Sequence, residues 1–406
     1  MHTRAHTLIP TLGLLGLLLS GGAHAEERPL QARLDQVIDQ ALADKRLVGT
    51  VVLVAQDGKL VYHRAAGLAD REAQTPMRED ALFRLASMSK PLVSAAAMAL
   101  VDQGKLSLDA PITRWLPTFQ PTLPDGQPAV ITVRQLLTHT AGLSYGFLQP
   151  ADGPYLKAQV SDGMDAPELG LEENLRRIAS VPLSFAPGSR WQYSVAIDVL
   201  GAVVAQAAGA PLPKAVERLV TKPLRMPDTG FSVRAKARLA TPYTDGKPEP
   251  VRMGELQVVP VAANGAAVRF VPGRAFDARA FPSGGAGMVG TAGDFLKFLE
   301  AIRKGGAPVV KPATAAQMMA NQVGPLETQG PGWGFGFGGA VLGDPARAKS
   351  VQSAGTWQWG GAYGHSWFVD PERRLTVVAL TNTSFEGMSG AFPAALIQAL
   401  YPTPAP

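Results

Sequence analysis

The chain contains no cysteine. Disulfides, a thiol nucleophile and thiolate metal sites are thereby excluded, and the fold must be held by its core alone. Histidine is scarce as well: there are six, and His2, His6 and His24 all precede residue 26. His63, His139 and His365 are left, with no His-Glu-x-x-His helix, so a catalytic zinc site is not expected. Charge is thin, at 17% of residues and a net +5. The basic residues are dispersed, with no run and no interleaved aromatic platform, so no nucleic-acid partner is expected. There are no internal repeats and no low-complexity linker. Against these absences, 46% of the 406 residues are hydrophobic, ample for a large buried core. The 43 glycines and 34 prolines are scattered, which indicates long structured loops rather than a collagen-like or disordered chain.

Long hydrophobic runs are also missing. The one apolar stretch near the start, Leu8 to Leu19, follows Arg4 and ends in Ala23-His24-Ala25. That is the layout of a cleaved secretory signal, too short to span a bilayer comfortably. The reading is a signal peptide over 1–25 and a mature domain over 26–406. A periplasmic or secreted protein with no membrane anchor after cleavage is expected.

Along the mature chain, Leu30, Leu34, Val37, Ile38, Ala41 and Leu42 share one helical face. Two β-rich runs then flank Asp57-Gly58, which signals a tight hairpin. The stretch PLVSAAAMALVDQG, from Pro91 to Gly104, is apolar all round and reads as a buried helix. Thr132 reads as the N-cap of a helix ending near Gly142, and Thr291 with Asp294 as a capping box. SWFVD (366–370) and LTVVALTNTS (375–384) read as strands, and AFPAALIQAL (391–400) as an amphipathic helix. Strands at both ends with helices between predict an α+β fold. Its antiparallel sheet is built from both termini and flanked by helices, with a mostly helical lobe inserted over about 90–280.

Two serines compete for a nucleophilic role. Ser144 lies in GLSYG (142–146), the Gly-x-Ser-x-Gly pattern of a nucleophile elbow. That elbow needs a strand before the serine and a helix after it. Here VRQLLTHT is helical and FLQPADGPY is a turn, so Ser144 reads as part of a glycine-rich turn. Ser87 lies in Ser87-Met-Ser-Lys90. On a helix these two side chains share a face, with β-carbons roughly 5–6 Å apart. An amine there can take the serine proton or stabilise its developing charge, and the helix dipole adds a smaller favourable term. The motif alone is weak. The all-apolar helix behind it places Lys90 inside the protein, where it requires a polar partner.

Four stretches in order give this serine a context: SMSK at 87–90, LLTHTAGL at 136–143, PGSRWQYS at 187–194 and WGGAYGHSWFVDP at 359–371. Together they resemble the serine β-lactamase and penicillin-binding superfamily, in particular class C β-lactamases and family VIII carboxylesterases. The resemblance covers essentially the whole mature chain. It implies Ser87 as the acylated nucleophile, with Lys90 and Tyr193 as its proton relay. It implies an oxyanion hole from the backbone N–H groups of Ser87 and Ala362, with Trp359, Gly360, Gly361 and Val195 binding substrate. It also implies that GLSYG does no chemistry, and that His139 is structural. No cofactor and no metal are implied. Val195 replaces the asparagine that binds the side-chain amide in penicillin-active members, and Trp359 replaces the lysine of Lys-Thr-Gly. Both changes favour a neutral, hydrophobic substrate. The expectation is a carboxylesterase acting on short to medium acyl esters. The alternatives are a β-lactamase or D-amino-acid peptidase, and, from another class, a non-catalytic binder of cell-wall fragments.

Overall fold

The computed structural model describes residues 28–166 and 168–401; the expected signal peptide lies outside the described residues. The described residues open with helix α1 (Leu30–Ala43) and the hairpin of β1 (Gly49–Gln56) and β2 (Lys59–Asp70). Asp57 and Gly58 turn that hairpin with positive φ, 53° and 78°, as a two-residue turn matching strand twist requires. A short strand, β3 (Thr75–Pro76), follows. Helix α2 (Ser89–Asp102), helix α3 (Val133–Leu137) and helix α4 (Ala196–Ala208) belong to the inserted region. Helix α5 (Ala292–Arg303) leads back to strands β4 (Trp333–Phe335), β5 (Ala340–Leu342), β6 (Trp357–Gly361), β7 (His365–Asp370) and β8 (Leu375–Thr381). Helices α6 (Ser384–Ser389) and α7 (Ala391–Leu400) close the described chain.

The eight strands form one antiparallel sheet in the order β4-β5-β6-β7-β8-β1-β2-β3. The two ends of the chain meet where β1 pairs with β8, Thr50 opposite Thr381 and Val54 opposite Val377. β1 is buried from Gly49 to Ala55, and its run Val51–Ala55 is apolar, because both of its faces are covered. Val52 and Val54 pack with Leu34, Ile38, Phe392 and Leu396 of α1 and α7 on the outer face. Val51 and Leu53 face the main core, with Phe295 and Phe298 of α5. In α2 every residue from Ser89 to Leu100 is buried, which explains its lack of a polar stripe. It ends where Gly104 takes φ 69°; the N–H of Lys105 then donates to Leu100 and that of Gly104 to Val101, a Schellman closure.

Three local expectations are corrected. Thr132 does cap α3, with Gln135 completing the reciprocal pair, but the helix stops at Leu137, because the following loop is pulled into tertiary hydrogen bonds. Thr291 caps α5 by accepting from Asp294 N–H. The Asp294 carboxylate instead binds Asp228 N–H, Thr229 and Lys297, so only half of the capping box forms. The inserted region, expected to be mostly helical, also holds two small antiparallel ribbons, Tyr243–Thr244 with Val251–Arg252 and Gln257–Pro260 with Ala267–Phe270.

Candidate active site

Ser87 sits in a single 3-10 turn, Ala86–Met88, that feeds directly into α2. The residue before it, Ala86, is fully buried with φ 46°. A non-glycine residue in this region costs about 1–3 kcal/mol and persists only where its surroundings enforce it. They do so here. Leu85 N–H donates to Met288, Met288 N–H donates to the Ser89 hydroxyl, and His365 Nε2 meets the Arg84 carbonyl at 2.8 Å. The Ser87 hydroxyl is thereby held at the start of the helix, where the dipole favours negative charge.

Lys90, one turn on, is 1% exposed. A buried ammonium needs compensation. Its Nζ donates to the Gly285 carbonyl at 2.8 Å and to Ser87 Oγ at 3.2 Å. It also lies 4.6 Å from the ring centre of Tyr193 and 5.4 Å from that of Tyr145, a cation–π arrangement. Gly285 is fixed in turn by Asp198, a buried carboxyl that accepts from Gly285 N–H and the Ser283 hydroxyl. Burial pushes the Asp198 carboxyl up, and the Ser283 bond and the Lys90 charge pull against it.

Tyr193 comes from the extended segment ahead of α4, and the loop after α3 carries it. Gln192 N–H donates to the His139 carbonyl at 3.0 Å and Val195 N–H to the Ser144 carbonyl at 3.2 Å. Gln192 Nε2 donates to Ser144 Oγ at 2.6 Å, and His139 Nδ1 meets Ser194 Oγ at 3.2 Å. The phenol reaches Ser87 Oγ at 2.7 Å. Trp359 Nε1, on β6, points at the same phenol oxygen over a long 3.4 Å. The structure therefore brings Ser87, Lys90, Tyr193 and Trp359 together. Ser144 is completely buried and serves as a clamp on the Tyr193 segment. His139 is buried against the Tyr193 ring, 4.9 Å between centres. Burial, with a contribution from the Lys90 charge, holds its imidazole well below the usual histidine range, so it stays neutral.

The pocket beside Ser87 has a volume of about 490 Å³. Tyr145, Phe147, Met164, Tyr193, Trp359 and Ala362 line it around the serine. Ala362 follows the last residue of β6, and neither its N–H nor that of Ser87 has a hydrogen-bond partner among the described residues. Two free donors at one pocket wall are what an oxyanion requires. Two expectations change. Val195 is fully buried in the core and is not part of the pocket wall, because its backbone is bound to the Ser144 loop. Gly361 does not face the pocket either; a β-carbon there would lie 2.4 Å from the Leu85 carbonyl oxygen. Its missing side chain lets β6 press against the Ser87 turn, whereas Gly360 does line the pocket.

Tyr145, Asp162, Asp198 and Gly285 were not singled out from the sequence. Tyr145 stacks on Phe147 at 4.5 Å, inside the very GLSYG motif whose serine drew attention. Asp162 is the sole carboxyl in the pocket wall, which holds no lysine or arginine among the described residues. Burial, with the charge of Asp165 adding to it, pushes Asp162 well above the carboxylate range.

The sequence model of the family described as Beta-lactamase matches residues 34–401. The chain belongs to that family. It is 56% identical to "Esterase EstB" of Burkholderia gladioli over 375 residues, 92% of this chain and 95% of that protein. Among solved structures it is similar to "EstCE1, a hydrolase with promiscuous acyltransferase activity", with a TM-score of 0.88 at 50% identity, covering 92% and 98% of the two chains. A D-amino acid amidase from Ochrobactrum anthropi SV3 shares the fold at 22% identity, with a TM-score of 0.67 over 92% of this chain and 98% of that one.

Proposed function

We propose that this protein is a serine carboxylesterase that cleaves neutral, apolar esters through an acyl-enzyme on Ser87. One observation carries the reading. Ser87 Oγ lies 2.7 Å from the Tyr193 oxygen and 3.2 Å from Lys90 Nζ, at a pocket wall without a cationic side chain among the described residues. In the first half-reaction Tyr193 acts as its phenolate: Ser87 Oγ attacks the ester carbonyl as its proton passes to that phenolate oxygen, 2.7 Å away. The Lys90 ammonium, 4.6 Å from the Tyr193 ring centre, and the Trp359 indole N–H, 3.4 Å from the phenol oxygen, stabilise that anion. The carbonyl oxygen becomes an oxyanion against the N–H groups of Ser87 and Ala362, donors of a kind worth about 10²–10³ in rate. The tetrahedral intermediate collapses, the C–O bond to the alkoxy group breaks, and the proton returns from Tyr193 to the leaving alcohol. Water repeats the sequence and frees the acid. An alcohol in place of water yields acyl transfer by the same steps, in keeping with the acyltransferase activity in the description of EstCE1.

A wall that holds no lysine or arginine among the described residues offers no cationic partner to the carboxylate of a penicillin, which sets the esterase reading above a β-lactamase one. Purified protein assayed with p-nitrophenyl butyrate and nitrocefin tests this: the ester is turned over more efficiently. A nitrocefin kcat/KM above that of the ester overturns the reading. Intact mass after reaction with a slow acylating ester shows one acyl group added, mapping to the peptide with Ser87. We further propose that residues 1–25 direct export and are removed, leaving a periplasmic or secreted enzyme. The mature N-terminus is then Glu26, and an unprocessed N-terminus in the exported protein refutes the proposal.

A further inference from the structure

The catalytic pocket does not end at the core side of the sheet. Trp357 and Trp367 pack with each other and toward Phe295 on that side. Alternation along the strands then turns Gln358, Gly360, Ser366 and Phe368 to the other face, and Phe368 joins the outer cluster with Val377 and Leu396. The wall of the pocket that holds Ser87 includes all of these outer-face residues, together with Ala394 and Ile397 of α7. Gly360 and Ser366 are cross-strand partners, so two small side chains leave a gutter across β6 and β7 beside α7. Met388 of α6 stands at the passage. A β-carbon on Gly360 would lie 2.9 Å from Met388 Cγ, and Met388 also packs against the cluster containing Ala362 and Met164.

We propose that this outer gutter is a second subsite of the same active centre, occupied by the hydrocarbon arm of a longer ester, with Met388 as a displaceable divider. The proposal rests on Ser87 being the acylated serine. Short esters occupy the chamber at Ser87. A longer arm pushes aside the unbranched, adaptable methionine side chain and lies over Ser366, Phe368 and Ile397. The polar groups at the gutter, Gln358 and Ser366, are uncharged, so a charged arm gains nothing there. Each methylene buried raises kcat/KM by up to roughly fourfold.

Two ester series distinguish which arm enters: p-nitrophenyl alkanoates from acetate to decanoate extend the acyl side, and alkyl acetates from methyl to octyl extend the alkoxy side. Ala394 is exposed on α7, so Ala394→Trp obstructs the gutter without burying new bulk in the core. In one of the two series this variant lowers the long-to-short kcat/KM ratio about tenfold or more, and Met388→Ala raises it in the same series. A ratio unchanged by both variants in both series overturns the proposal while leaving the esterase reading intact. Failure of the wild-type protein to hydrolyse even the acetates, or retained turnover by Ser87→Ala, instead overturns the reading of the site on which it rests.

Discussion

Ser87 and Ser144 occupy neighbouring regions built to opposite ends. Around Ser87 the backbone is bent, with Ala86 at φ 46°, and the hydroxyl faces an amine, a phenol and a pocket. Ser144 spends its own polar groups on neighbours: its N–H donates to the Tyr155 hydroxyl, its carbonyl takes Val195 N–H and its hydroxyl takes the Gln192 amide. The first region holds reactivity at the cost of strain, and the second supplies the rigidity that delivers Tyr193 to it. A Gly-x-Ser-x-Gly pattern can therefore mark a brace as readily as a nucleophile. What separates the two is whether the hydroxyl is left a partner able to take its proton.

Exchange of the two serines for alanine tests this contrast most strongly. Ser87→Ala is expected to lower kcat toward p-nitrophenyl butyrate by about 10³-fold or more. Removal of the phenol oxygen alone, as Tyr193→Phe, is expected to cost about 10²–10³ in kcat with little change in KM. Gly361→Ala sharpens the comparison without touching a reacting group. Its new β-carbon meets the backbone carbonyl of Leu85, which cannot swing aside, and pushes β6 from the Ser87 turn. A misplacement of that size is expected to cost about 10²-fold in kcat.

Each region also leans on one buried, neutral histidine, and these respond to pH. Burial pushes His365 down to about 4, and His139 falls in the same direction. The unfolded chain takes up these protons below about pH 6.5 and the folded chain does not. Their stabilisation is thus present above pH 6.5 and lost as pH falls toward about 4, by on the order of 3 kcal/mol for His365. Asp162 and Asp198, pushed up by burial, act with the opposite sign. Urea midpoints of wild type and His365→Gln across that window isolate the histidine: the variant should lose less stability on acidification, and parallel curves contradict the assignment. The smallest effect is expected from Ser144→Ala. It leaves the Gln192 amide without its acceptor, at about 1 kcal/mol of stability, with kcat reduced by less than tenfold.

Much of this arrangement was legible in the chain. The Asp57-Gly58 turn, the all-apolar α2 and the Thr132 cap are local signals, and local chemistry set them. Lys90 was legible as buried because its helix has no polar face. Where the reading went astray, the deciding partner was distant in sequence. Asp294 abandons its own helix cap for Asp228 and Thr229. α3 stops early because the residues after it bind the Tyr193 segment some fifty positions on. Val195 looked like a pocket residue by motif alignment, yet its neighbours bury it. Gly361 looked like room for substrate and is room for Leu85. Tyr145 had no periodic signal at all, since it lies in a loop whose course is set by tertiary bonds.

The pairing of β1 with β8 bears on when this enzyme can act. Ser87 is synthesised early, but Ala362, whose N–H faces the same pocket, and the strand that completes the sheet come near the end. A ribosome must release almost the entire polypeptide before the reactive centre exists, and closing so distant a pair is slow by nature. A message truncated between Tyr193 and β8 yields a protein that carries the serine, the lysine and the tyrosine and still hydrolyses nothing.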